Sequence, residues 1–318
     1  MKKMFFLSLL VIFCLSGTSI YATKWRVNNA GIPADFTTAS AAVNSPLVSN
    51  GDTVYFESSM FSYGSVNFQK RLVVIGPGYF LGENDSTQAG LKPATLDQCS
   101  FSPGSEGTIV KGMTMTGYFY ISTSNITFEK NMIDNLQINA GSGSVILRNY
   151  IVTMGVNMAQ NVLISNNIIT SVEQFANGFL VNVNASATVM NNIFLGKVYV
   201  RNSVFRNNIC TATSLSAPMF SGLNSIVENN IGASTQFGSL NGNQENVDMT
   251  TVFTYTGSTD GKYKLKPGSP AIAAGAGGVD CGAFGGNYPY TLSGMVSGPS
   301  VWYMNMNGID VTVKAKSH

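Results

Sequence analysis

Between residues 108 and 233 the chain returns to one short phrase: ITFEKNMID (126–134), VILRNYIVT (145–153), NVLISNNIIT (161–170), TVMNNIFLG (188–196), SVFRNNICT (203–211) and IVENNIGA (226–233). Asparagine is a poor strand former, yet it interrupts these aliphatic runs repeatedly. Aligned on Val110, Phe128, Leu147, Ile164, Val189, Phe205 and Val227, the steps run from 16 to 25 residues and average near 20. Small or apolar residues stand two places before each aligned position. Lys111, Glu129, Arg148, Ser165, Met190, Arg206 and Glu228 stand one place after it. This is the alternation of strands with one buried and one wet face.

Two and three places after the aligned residue stand Asn149, Asn166, Asn191, Asn207 and Asn229, and Asn131, Asn167, Asn192, Asn208 and Asn230. Asparagine tolerates left-handed backbone better than other residues with a Cβ, so it suits a tight corner. Stacked at strand spacing, about 4.8 Å, its amides can bond one another along an axis. A bundle would show a 3.6-residue period, and a sandwich would not need one corner residue per turn. A parallel β-helix needs both features, because each coil stacks in register on the last. The long step over 167–188 predicts a bulging loop.

The ends carry a resemblance. DFTTASAAVNSPLVSNGDTVYFES reads as a short amphipathic helix, Asp35 to Val43, followed by a strand at Gly51-Asp52-Thr53. It resembles the N-terminal cap of pectate-lyase-like right-handed β-helix proteins. YKLKPGSPAIAAGAGGVDCGAFGG (263–286) resembles the closing signature of the same secreted repeat proteins. That signature implies a turn at Ser269-Pro270-Ala271-Ile272 and a strand at Asp280, Gly282, Ala283 and Phe284 in the last coils. The expected fold class is therefore all-β: a single-stranded right-handed parallel β-helix, or solenoid, with a short N-terminal capping helix and a C-terminal tail. Residues 1–22 read as a signal peptide, 23–50 as the cap, 51–286 as the β-helix and 287–318 as a tail packed on it.

MKKMFFLSLLVIFCLSGTSIYA opens with two lysines and an apolar run short of the ~20 residues that span a bilayer, with cleavage predicted after Ala22. Cys14 lies inside the apolar run, which disfavours a lipid anchor. The expected location is secreted, periplasmic or at the cell surface of a Gram-negative bacterium, with no transmembrane span after cleavage. Without Lys2 and Lys3, the 18 basic residues fall to 16, against 16 acidic ones. A neutral chain argues against nucleic acid or an anionic membrane as partner. The 32 asparagines and 33 glycines leave solvation to amides rather than charge. Cys99, Cys210 and Cys281 permit one bridge at most, and the single histidine, His318, leaves no Cys/His metal site; no cofactor is expected.

The resemblance implies enzymes that cleave acidic polysaccharides, using a basic residue as base and calcium or a cation on the substrate carboxylate, or hydrolases with clustered aspartates. No such set is visible. Asp134 stands alone in its column, and Asp85 and Asp260 read as ordinary turns. The best lyase set is Lys130 or Arg148 as base near Glu129, which reads more simply as a surface ladder with Lys111; Arg206–Glu228 forms a second pair. A groove of Glu173, Lys197, Tyr199 and Arg201 beside the 167–188 loop would support catalysis.

Binding requires less. Outward rings stack on sugar faces, and by parity TGYFYIS offers either Phe119 or the pair Tyr118 and Tyr120, with Tyr199 further along. The stripe Ile109, Thr127, Ile146, Leu163, Thr188, Val204 and Ile226 faces outward by parity, and a loop or the tail is predicted to cover it, with a partner protein as the alternative. The favoured function is a monomeric secreted or cell-surface β-helix that binds or scaffolds without catalysis, touching a polysaccharide or cell-surface glycan. The alternative is a polysaccharide lyase or glycoside hydrolase acting on an extracellular polysaccharide.

Overall fold

Each coil contributes a short strand, a corner and a second strand, and every rung pairs in parallel with the next. The computed structural model describes residues 22–85, 87, 90–170, 179–213, 220–295, 299–307 and 310–317. One sheet has ten strands, running from Lys24–Val27 through Thr127–Glu129 to Ile226–Glu228. The facing sheet has thirteen, among them the long strands Thr114–Ile121, Met132–Ile138 and Tyr150–Val156. The chain is a right-handed parallel β-helix. Val74, Val110, Phe128, Ile146, Ile164, Val189 and Phe205 point inward from the first sheet and are fully buried. Phe68 stacks on Phe101 at 4.6 Å, and Phe101 meets Phe128 edge-on at 5.3 Å inside this core.

The register corrects the sequence alignment by one residue in a single coil. Ile146, not Leu147, stands level with Phe128 and Ile164. The corner then resolves into two clean columns with different tasks. Gly112, Lys130, Arg148, Asn166, Asn191, Asn207 and Asn229 all have φ between 53° and 67°, so this column makes the bend. The next residues, Asn131, Asn149, Asn167, Asn192, Asn208 and Asn230, are wholly buried and form the ladder. Each donates its backbone N–H to the Oδ1 of the next coil's asparagine at 2.8–2.9 Å, ending on Asn243. Bending and amide stacking therefore fall on neighbouring residues, not on one side chain.

The capping helix spans Ala39–Asn44 and begins later than the expected Asp35, because the Thr38 hydroxyl accepts the Ala41 N–H and caps it there. Phe36 instead bridges to Val27. Asp52 ties the cap to the first rungs, accepting from Thr23 N–H (2.7 Å), Trp25 Nε1–H (2.8 Å) and Ser49 N–H (2.9 Å).

The closing signature differs from its expectation. Ser269–Ile272 forms the expected turn, closed by Ile272 N–H on Ser269 O at 3.1 Å, but Asp280–Phe284 is no strand. The segment runs back along the corner toward the earlier coils, held by the bend asparagines. Asn207 Oδ1 accepts Ala276 N–H (2.9 Å), Asn191 Nδ2 donates to Asp280 O (2.9 Å), and Asn166 Nδ2 donates to Ala283 O (3.0 Å) and Gly285 O (2.7 Å). Side-chain amides reach its backbone, so it needs no strand edge. This strap closes a second apolar cluster, in which Ile168, Ile193, Ile209 and Ile231 pack with Phe253, Tyr263, Ala271, Ala283 and Tyr290.

The strap therefore covers a different column from the expected stripe. Ile146 leaves that stripe for the interior and Val145 takes its place. Ile109, Val145, Leu163 and Val204 stay half-buried and Ile226 is 56% exposed, while residues 287–295 lie at the corner. Among the described residues no helix is long and apolar enough to cross a membrane. The leader-like residues 1–21 lie outside the described residues.

Candidate functional site

The three long strands of the second sheet outrun their neighbours and expose one broad face. Gly117, at φ 88°, shifts the register between Thr114–Ile121 and Met132–Ile138, and the Asp134 carboxylate accepts its N–H at 3.3 Å. Beyond this bulge Tyr118 stands level with Asn135 and Thr153, and Tyr120 with Gln137 and Gly155. The two tyrosine rings lie parallel within 7°, their centroids 5.9 Å apart.

The amides beside them hold one another in place. Gln137 Nε2 donates to Asn135 Oδ1 at 2.8 Å, and Asn157 Nδ2 donates to Asn139 Oδ1 at 2.8 Å and to Gln137 Oε1 at 3.3 Å. A Cβ at Gly155 would lie 2.5 Å from Gln137 Oε1, so glycine there lets the amide lie across the rung. Past the bulge, the outward residues of these strands are rings, amides, a hydroxyl and a glycine, all uncharged. Aromatic rings offer apolar contact area, and amides offer donors and acceptors together.

The residues singled out from the sequence do not all share this face. Tyr118 is 43% exposed and Tyr120 half-buried. Phe119 is wholly buried: strand alternation turns it into the core between its tyrosine neighbours, so it cannot touch a ligand. Tyr199 shares the outward column of Tyr120 but stands four rungs away, roughly 19 Å at about 4.8 Å per rung.

The lyase candidates are occupied otherwise. Glu129 lies 2.7 Å from Lys111 Nζ and 3.3 Å from Arg148 Nη1, as the ladder reading requires, and Arg206 pairs with Glu228 at 3.1 Å. Arg148 also donates Nε–H to Tyr288 O at 3.3 Å and lies over the Tyr288 ring. Lys130 is buried, donates from Nζ to Met295 O at 2.9 Å, and has its pKa lowered by that burial. These cations hold the strap. Glu173 lies outside the described residues, so the groove it would share with Lys197, Tyr199 and Arg201 is not defined.

Cys99, Cys210 and Cys281 are free and buried, and burial pushes the Cys99 and Cys281 thiols up to about 12. Among the described residues no cluster of three His, Cys, Asp or Glu side chains is placed to hold a metal.

The sequence reading missed a buried polar network at the strap. Asp260, read as a turn residue, is wholly buried and accepts from Ser293 N–H at 2.8 Å and Tyr290 O–H at 3.3 Å. The Tyr290 and Tyr79 hydroxyls meet at 2.5 Å, and burial raises both phenols well above their ordinary range. Tyr79 and Tyr290 are 211 residues apart, and no spacing links them in the sequence. Comparison with family models, curated proteins and solved structures gives no match, so the reading of this surface rests on its own chemistry.

Proposed function

We propose that this chain is an exported, non-catalytic β-helix protein of the pectate-lyase-like kind whose second sheet lies against a polysaccharide or cell-surface glycan. The observation that carries the reading is the parallel Tyr118–Tyr120 pair set beside uncharged, mutually bonded amides. Rungs repeat at about 4.8 Å, so an extended sugar chain crossing the strands meets a fresh side chain on each coil. The neutral surface favours a neutral glycan over a uronate polymer. Export rests on the leader-like residues 1–22, and the location proposed is the periplasm, surface or surroundings of a Gram-negative cell, as a monomer.

A binding role is preferred to catalysis because Glu129, Lys130 and Arg148, the best acid–base set in the sequence, engage one another or the strap. The test is incubation with insoluble and soluble polysaccharides, neutral and acidic, with retention measured beside assays for reducing and unsaturated ends. Retention without cleavage, lost in Tyr118→Ala/Tyr120→Ala, is the expected result. New chain ends from any substrate would replace this reading with a lyase or hydrolase.

A further inference from the structure

A separate cleft of about 630 Å³ opens between the loop carrying Glu83, Asn84 and Asp85 and the C-terminal segment carrying Thr254, Thr256 and Thr291. Small-molecule sites commonly measure roughly 300–1,000 Å³. We infer that this cleft is a second ligand site and that it takes a short neutral sugar or the end of a glycan chain.

The base of the cleft is rigid because its polar atoms are satisfied internally. Asn84 Nδ2 donates to Asp260 Oδ1 (3.1 Å) and Ser293 Oγ (2.8 Å). Ser258 Oγ lies 2.8 Å from Asn84 Oδ1 and 2.9 Å from Asp260 Oδ1, and it accepts Gly261 N–H. Glu83 Oε2 accepts Thr259 N–H at 2.8 Å, joining the two walls. The Tyr79–Tyr290 pair backs this network.

The groups that line the opening are different. The side chains of Asp85, Thr256, Lys264 and Thr291 line the cleft and make no hydrogen bond or ion pair with any described residue. A carboxylate, two hydroxyls and an ammonium thus converge on one space above a fixed base, a donor and acceptor set suited to a polyol. Two carboxylates, Glu83 and Asp85, stand against one ammonium, Lys264, so a uronate is disfavoured by like charge. A bare divalent ion is disfavoured as well, because the Lys264 ammonium lines the same space and repels it.

The inference does not depend on the tyrosine face, and its test keeps the two apart. Cellotriose, maltotriose, chitotriose and trigalacturonate are titrated calorimetrically against the full chain, Asp85→Ala/Thr256→Ala and Tyr118→Ala/Tyr120→Ala. The exposed positions of Asp85 and Thr256 leave folding intact, which circular dichroism checks. At least one neutral trisaccharide is expected to bind, at least tenfold more tightly than trigalacturonate. The cleft variant should lose that affinity by tenfold or more, and the tyrosine variant should keep it. No neutral binding at millimolar concentration, equal binding of trigalacturonate, or an unchanged cleft variant would each overturn the assignment.

Discussion

Asn167→Ala removes one rung of the amide ladder, and its cost follows from the hydrogen bonds that this side chain makes. The Asn167 Oδ1 accepts the Asn149 backbone N–H at 2.8 Å and its Nδ2 at 3.0 Å. The Asn167 Nδ2 lies 2.9 Å from Ile146 O, 3.0 Å from Ser165 O and 3.0 Å from Asn192 Oδ1. Alanine strands the Asn149 N–H inside the barrel, at about 1–3 kcal/mol for an unmet buried donor. The remaining bonds add about 1 kcal/mol net apiece for the two or three that neighbours cannot replace. A loss of about 4 kcal/mol is the expected result, a large share of the roughly 5–15 kcal/mol of a natural domain. Urea unfolding followed by circular dichroism reads it as a lower midpoint. Asn224→Gly serves as control: Asn224 is exposed at φ 54° and outside the ladder, so its change should stay within about 0.5 kcal/mol. A loss under about 1 kcal/mol for Asn167→Ala, or one equal to the control, would show that the buried amides do not hold the coils together.

Asn166→Gly keeps the φ of 57° permitted but deletes the bonds to Ala283 O and Gly285 O. Limited proteolysis should then cut the strap around Gly277 and Gly278 at least several-fold faster, while the barrel fragments stay protected. Burial raises the pKa of Asp52, but bonds from Ser49, Trp25 and Thr23 outweigh it and hold the carboxylate below its ordinary range. A depressed folded pKa stabilises above the unfolded pKa of about 4 and is lost as pH falls through the folded value. Thermal melts should therefore show Asp52→Asn markedly less stable than wild type at neutral pH, with the gap narrowing at strongly acidic pH. Cys99, Cys210 and Cys281, buried and with raised thiol pKa, should resist iodoacetamide at pH 8 in the folded chain and react fully in denaturant, as read by mass spectrometry.

The coils were legible in the sequence because a strand alternates its side chains with a period of two, and the same buried amide recurs on coil after coil. The slip at Leu147 arose where the signal is degenerate. Ile146 and Leu147 are both apolar, and the bend there falls to Arg148, which carries no amide to mark it. Parity also left YFY undecided, since three consecutive aromatics fit either face, and only register sends Phe119 inward. The strap was illegible for another reason. Its Gly- and Ala-rich residues have no period, and they are held by asparagines 69 to 119 positions away. Asp260 read as a turn because its burial is created by Tyr79, Tyr290 and Ser293, which only the folded chain assembles.

Hydroxyl-radical footprinting with and without a bound neutral polysaccharide tests the functional claim most directly, because it reports the exposure of single side chains. Protection of Tyr118 and Tyr120, with Tyr288 unchanged as an exposed reference, is the expected pattern. A retained polysaccharide that leaves Tyr118 and Tyr120 as reactive as in the free protein would contradict the assignment of this face.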